Sequence, residues 1–135
     1  VPSPVAATTT SSQTTAQQVA AWWTGGMSAQ VGVLETDLTA AGNDASSLDY
    51  AKLGTDCAKL GTDVSGMVAY GPVPDAAVQA SWSAAMSDYG SAASDCTAGS
   101  TGQNTADLAK AVAELDSGTL ALESASTQIG ALASP

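Results

Sequence analysis

The chain has 135 residues, a size suited to one domain, and sets 13 carboxylates against three lysines for a formal charge of −10, with neither arginine nor histidine. Nothing in that balance can displace counterions from nucleic acid, which excludes a general phosphate-backbone binder. Without imidazole there is no Ser-His-Asp or Cys-His catalysis, no Glu-x-x-His di-metal bundle and no histidine-ligated zinc or haem.

Hydrophobic residues make up 44% of the chain, yet aromatics only 4%, and phenylalanine is absent. The apolar content is therefore mostly alanine, with leucine and valine behind it, a composition that favours helices whose small side chains permit close approach. No apolar run nears the ~20 residues of a membrane span, so no span is expected. Residues 1–14 (VPSPVAATTTSSQT) are rich in proline, serine and threonine and are expected to be a disordered linker ahead of a domain over residues 15–135. Such a segment behind Val1 reads as the start of a mature exported chain, with hydroxyls suited to O-linked sugar.

Helical spacing predicts four helices, over residues 15–41, 45–70, 75–97 and 105–132. The first opens on a capping box at Thr15–Gln18 and carries the apolar line Ala20, Trp23, Met27, Val31, Leu34, Leu38, Ala41. Gly25-Gly26 interrupts that line and Gly42-Asn43 closes it. The second carries Tyr50, Leu53, Cys57, Leu60, Val64 and Met67, and within it AKLGTD at residues 51–56 recurs at residues 58–63. An offset of seven keeps one seam on one face, the pattern of a left-handed bundle. Gly54 and Gly61 each cost about 1 kcal/mol relative to alanine, a cost expected to admit a closely packed neighbour.

Gly71-Pro72-Val73-Pro74-Asp75 forces an extended link ending in a helix cap. The third helix then runs through Val78, Trp82, Ala85, Tyr89, Ala92 and Cys96, and residues 97–104 read as a glycine-rich loop. The fourth sets Leu108, Leu115, Leu122 and Ile129 one heptad apart, with Ala111, Gly118 and Ala125 between them. Short connections favour antiparallel neighbours, so the expected fold is all-α, an up-down-up-down four-helix bundle. Asp37, Asp88, Asp95, Asp107 and Glu114 are expected beside the seams, where they confer solubility and disfavour wrong packings.

Two cysteines in an exported chain suggest one disulfide, Cys57–Cys96, the alternative being two buried thiols. The helical rise puts Cys57 roughly 20 Å from the end of its helix and Cys96 roughly 31 Å from the start of the next. The bond therefore requires the third helix to begin about 11 Å beyond the second's end, a climb four extended residues can make.

In such a bundle Trp22, Trp23, Met27, Met67, Tyr70 and Trp82 collect at one end, as a core plug, an apolar ligand pocket or a contact surface. Adjacent Trp22 and Trp23 cannot both point inward, so one is expected to remain partly exposed as a contact residue. No D-x-D-x-D-G loop offers a calcium site, and the scattered acids form no carboxylate pair suited to glycoside hydrolysis. No metal or cofactor is expected. Trp23-Thr24-Gly25 matches the W-x-G tripeptide of type VII secretion hairpin proteins, but there it occupies a turn between two long helices; here only about eight helical residues precede it.

The arrangement Cys57…Gly71-Pro72-Val73-Pro74-Asp75…Trp82…Tyr89…Cys96, with the Trp22-Trp23 entry and the alanine bias, resembles small exported two-cysteine all-α proteins of actinobacteria. The resemblance implies a fold and a secreted or cell-surface location and supplies no catalytic residues. The function expected is a non-catalytic module acting through a protein partner or self-association. The alternative is a carrier of a small apolar ligand at the tryptophan end.

Overall fold

The computed structural model describes residues 13–133 and is an antiparallel four-helix bundle. Apart from Gln13 and Thr14, the linker expected to be disordered lies outside the described residues. Helix α1 comprises Thr15–Trp22, a π turn over Trp23–Met27, and Ser28–Ser46. It is followed by α2 (Tyr50–Ala69), α3 (Ala76–Gly102) and α4 (Thr105–Ala133). Consecutive helices pack side by side, whereas α1 meets α4 chiefly through Thr15–Trp22.

Several boundaries differ from the sequence expectation. The capping box sits one residue earlier: Thr14 Oγ1 accepts from the Gln17 amide (3.1 Å) and Gln17 Oε1 from the Thr14 amide (2.9 Å). Helix α1 continues past Gly42-Asn43 to Ser46, because Ala41 and Asp44 are buried against α2 and tertiary packing outweighs the weak propensity of glycine and asparagine. Helix α2 consequently opens later, at Tyr50, with Asp49 Oδ1 accepting from the Lys52 amide (3.1 Å). Residues 97–102 are helical rather than a loop. The Thr97 and Thr101 hydroxyls bond back to the carbonyls of Ala93 and Thr97, Ser100 bonds to Cys96, and the segment gains burial through Gly99 and Ser100. The break is only Gln103, left-handed at φ 50°, and Asn104, whose Oδ1 accepts from the Ala106 amide (2.9 Å).

The core is built as the heptads require on α2 and α3: Leu53, Cys57, Leu60, Val64 and Met67 face Val78, Trp82, Ala85, Tyr89, Ala92 and Cys96. On α4 the deepest positions are the small ones, Ala111, Gly118 and Ala125, with Leu122, while Leu108, Leu115 and Ile129 are half-buried. On α1 the seam changes phase. Met27, Val31, Leu34 and Ala41 are buried as expected, but before the π turn the inward residues are Val19 and Trp22, not Ala20 and Trp23. Gly26 leaves helical geometry there (φ 158°, ψ −25°), so the chain kinks and the two parts of α1 do not share one continuous face.

Cys57 and Cys96 form a disulfide with Cα atoms 5.8 Å apart. Gly54 lies beside Ser100 and Gly61 beside Ala93. That register puts Tyr70 level with about residue 84, so α3 starts about eight residues, roughly 12 Å, beyond the end of α2. The Gly71–Pro74 link makes that climb, and Gly71 supplies its φ of 113° without strain.

The AKLGTD repeat has an electrostatic partner on α1. Lys52 reaches Asp44 (4.0 Å) and Lys59 reaches Asp37 (3.3 Å), two pairs one heptad apart on both helices. Asp37 is therefore not beside the seam, as expected, but 3% exposed inside the α1–α2 interface, and Asp44 is buried likewise. The lysine stems lie outside and bring only their ammonium groups to the buried carboxylates. A slip of α1 along α2 would strand both carboxylates, so the ladder fixes the register.

Candidate functional site

All six residues singled out at the tryptophan end come together. Trp22, Met27, Met67 and Trp82 share the main core, with Met27 and Met67 fully enclosed. The Trp22 and Trp82 rings meet edge-on at 5.1 Å and an interplanar angle of 87°, the favoured aromatic geometry. Trp22 is fixed further by its indole N–H, which donates to the Gly71 carbonyl (3.2 Å). Tyr70, at the end of α2, packs edge-on to Trp22 and donates its hydroxyl to the Trp22 carbonyl (3.1 Å). The glycine pair makes room for this contact: a Cβ at Gly25 would come within 3.1 Å of the Tyr70 hydroxyl. Trp23-Thr24-Gly25 lies at the kink where Gly26 leaves helical geometry (φ 158°, ψ −25°), between the eight-residue Thr15–Trp22 and the second part of α1.

Trp23 is the partly exposed member of the pair. It stands at one end of a groove of ≈ 770 Å³ between the second part of α1 and α4. Val31 and Leu38 line one wall, Leu122 the other, and Tyr89 of α3 reaches between them from below. The groove exists because α1, after the π turn, no longer packs closely on α4. Tyr89 is 1% exposed and its hydroxyl shares a 3.0 Å hydrogen bond with Thr119. Burial pushes the phenol above its ordinary pKa, opposed by the Thr119 bond and reinforced by Glu35, Glu123 and Asp88. Glu35 and Glu123 stand exposed on opposite walls. Sequence reasoning marked Tyr89 as core and assigned no role to either glutamate; no motif signals them, because the groove depends on the departure of α1 from α4.

A second hollow of ≈ 400 Å³ lies on the α2–α3 side of the tryptophan end, lined in part by Val68, Pro72, Trp82 and Met86. Among the described residues, no three acidic or cysteine side chains come together as metal ligands, and no helix is long and apolar enough to cross a membrane. No family model, curated protein or solved structure matches the chain.

Proposed function

We propose that this protein is a non-catalytic, extracytoplasmic helical module acting through protein contacts, and that the α1–α4 groove is its contact surface. The observation that supports this most is the division of labour between adjacent tryptophans. Trp22 is locked into the core by two hydrogen bonds, whereas Trp23 is left half-open at the mouth of an apolar groove. Large rigid aromatics in such positions dominate binding energy at protein interfaces. The disulfide supports an oxidising compartment.

The reading is tested by presenting wild type and Trp23→Ala as baits to the extracellular fraction of the source cells. A species retained by wild type and lost by the variant, with unchanged thermal unfolding, is expected; retention by both overturns it. The hollow beside Trp82 favours a second reading, a small apolar ligand, since its volume lies within the range of small-molecule sites. Saturable change in tryptophan fluorescence with an apolar ligand panel, abolished by Val68→Lys on its exposed rim, would support that alternative.

A further inference from the structure

We propose that the α1–α4 groove takes a basic amphipathic helix, one with leucine-like side chains on one face and lysine or arginine along its edges. The inference rests on the contact-surface reading above and adds the chemistry of the partner. Three observations carry it. The straight part of the α1 wall, Ser28 to Leu38, runs about 15 Å, the length of a helix of about 10 residues, and Trp23 stands beyond the kink at its end. Its walls are helices whose backbone groups are already paired, so no sheet edge is available to an extended peptide, and the groove suits a helix laid along it.

The second observation is the placement of charge. Glu35 and Glu123 occupy opposite walls, exposed, above the apolar floor. The third is that, among the described residues, no cationic side chain pairs with them. The chain has three cations in its side chains, and all are engaged elsewhere: Lys52 with Asp44, Lys59 with Asp37, Lys110 with Asp95. A helix with basic edges supplies two charges where the protein's three lysines supply none, and the net −10 favours its approach. The same field disfavours the other occupants: a second copy brings ten further negative charges, and an anionic membrane surface or an acidic peptide is repelled.

The test uses the full-length protein and three labelled helical peptides of about 14 residues, with identical leucines at helical spacing and lysine, glutamine or glutamate elsewhere. Binding is read by fluorescence anisotropy at about 0.15 M salt. The Leu/Lys peptide is expected to bind at least about tenfold more tightly than the Leu/Gln peptide, with the Leu/Glu peptide weakest. Glu35→Gln/Glu123→Gln should remove that preference. Asp49→Asn/Asp75→Asn, an equal change of charge at two caps where asparagine also serves, should leave it within about twofold. Equal weakening by both double variants would mean diffuse attraction to an acidic protein and overturns the proposal. Equal binding of the lysine and glutamine peptides, lost in Trp23→Ala, overturns the charge assignment while leaving the contact surface standing. No binding of any peptide overturns both.

Discussion

Tyr70 and Trp22 hold each other twice. The tyrosine hydroxyl donates to the tryptophan carbonyl at 3.1 Å, and the two rings meet edge-on at 6.0 Å, 72° apart. The acceptor is the carbonyl at the entry to the π turn, where the regular α-helical ladder of α1 is broken. Tyr70→Phe keeps the ring and removes the bond, and should cost about 1 kcal/mol in urea unfolding. Gly25→Ala should be neutral or harmful in wild type, because its Cβ meets the hydroxyl at 3.1 Å. In the Tyr70→Phe background the obstacle is gone, so the same change should stabilise by up to about 1 kcal/mol. A Gly25→Ala effect identical in both backgrounds would show that the hydroxyl does not govern the turn.

The disulfide closes a loop of 39 residues between two core positions. The chain-entropy model gives such a loop about 4 kcal/mol of stabilisation. Cys57→Ala/Cys96→Ala should lower stability by about that amount in denaturant unfolding while retaining helical circular dichroism, since the two residues have leucine, valine and alanine neighbours on the same seams. A loss below about 1 kcal/mol would mean that the reduced chain is already restrained in its unfolded state.

Stability should rise on mild acidification. Asp44 is held above the ordinary aspartate range, first by a hydrogen bond with Asp56, then by burial and the negative charge of Asp56, with Lys52 opposing. Glu114 is raised in the same way by Asp95. A carboxyl whose folded pKa is raised binds its proton more tightly in the folded state. Its contribution is therefore fully present below the unfolded values of 3.8 and 4.5, and is lost as pH rises through the raised folded values. The melting temperature at about pH 5 should exceed that at about pH 8, and Asp44→Asn with Glu114→Gln should flatten the difference. A melting temperature that climbs toward pH 8 would contradict this assignment.

The bundle was legible because its apolar residues recur at heptad spacing on α2 and α3, where Leu53 to Met67 and Val78 to Cys96 point inward as read. The cysteine register was legible for the same reason, together with the stiffness of the Pro72–Pro74 link. The phase of α1 before Met27 was not, because Gly25-Gly26 signals an interruption without saying how far a kink at Gly26 turns the helix face. Asp37 was misplaced because a carboxylate reads as surface until the lysine that reaches it is known, and that lysine lies on another helix. The groove was hidden altogether: Glu35 and Glu123 are ordinary exposed helix residues, and only the divergence of α1 from α4 gives them a common space.

The glycines offer the sharpest test of the packing, since sequence and structure disagree about which are needed. The repeat glycines, expected to admit a close neighbour, do not require their small size. A Cβ at Gly54 would lie 3.7 Å from Ser100, and one at Gly61 would lie 3.5 Å from the Ala93 methyl, both ordinary contacts. The close approaches occur on the other side of α3. A Cβ at Gly99 would meet Leu108 at 2.8 Å, with the Leu108 backbone nitrogen at 3.0 Å, and one at Gly118 would meet Asp88 and the Tyr89 ring at 3.2 Å. Gly54→Ala and Gly61→Ala should thus each gain up to about 1 kcal/mol from helix propensity alone. Gly99→Ala and Gly118→Ala should each lose about 1 to 3 kcal/mol, because overpacking outweighs the same propensity gain. Gly99→Ala should be the worse of the two, since part of its obstruction is backbone that cannot turn aside. Urea unfolding of the four variants separates the pairs by sign, and a destabilising Gly61→Ala would place α2 closer to α3 than the 3.5 Å contact with Ala93 allows.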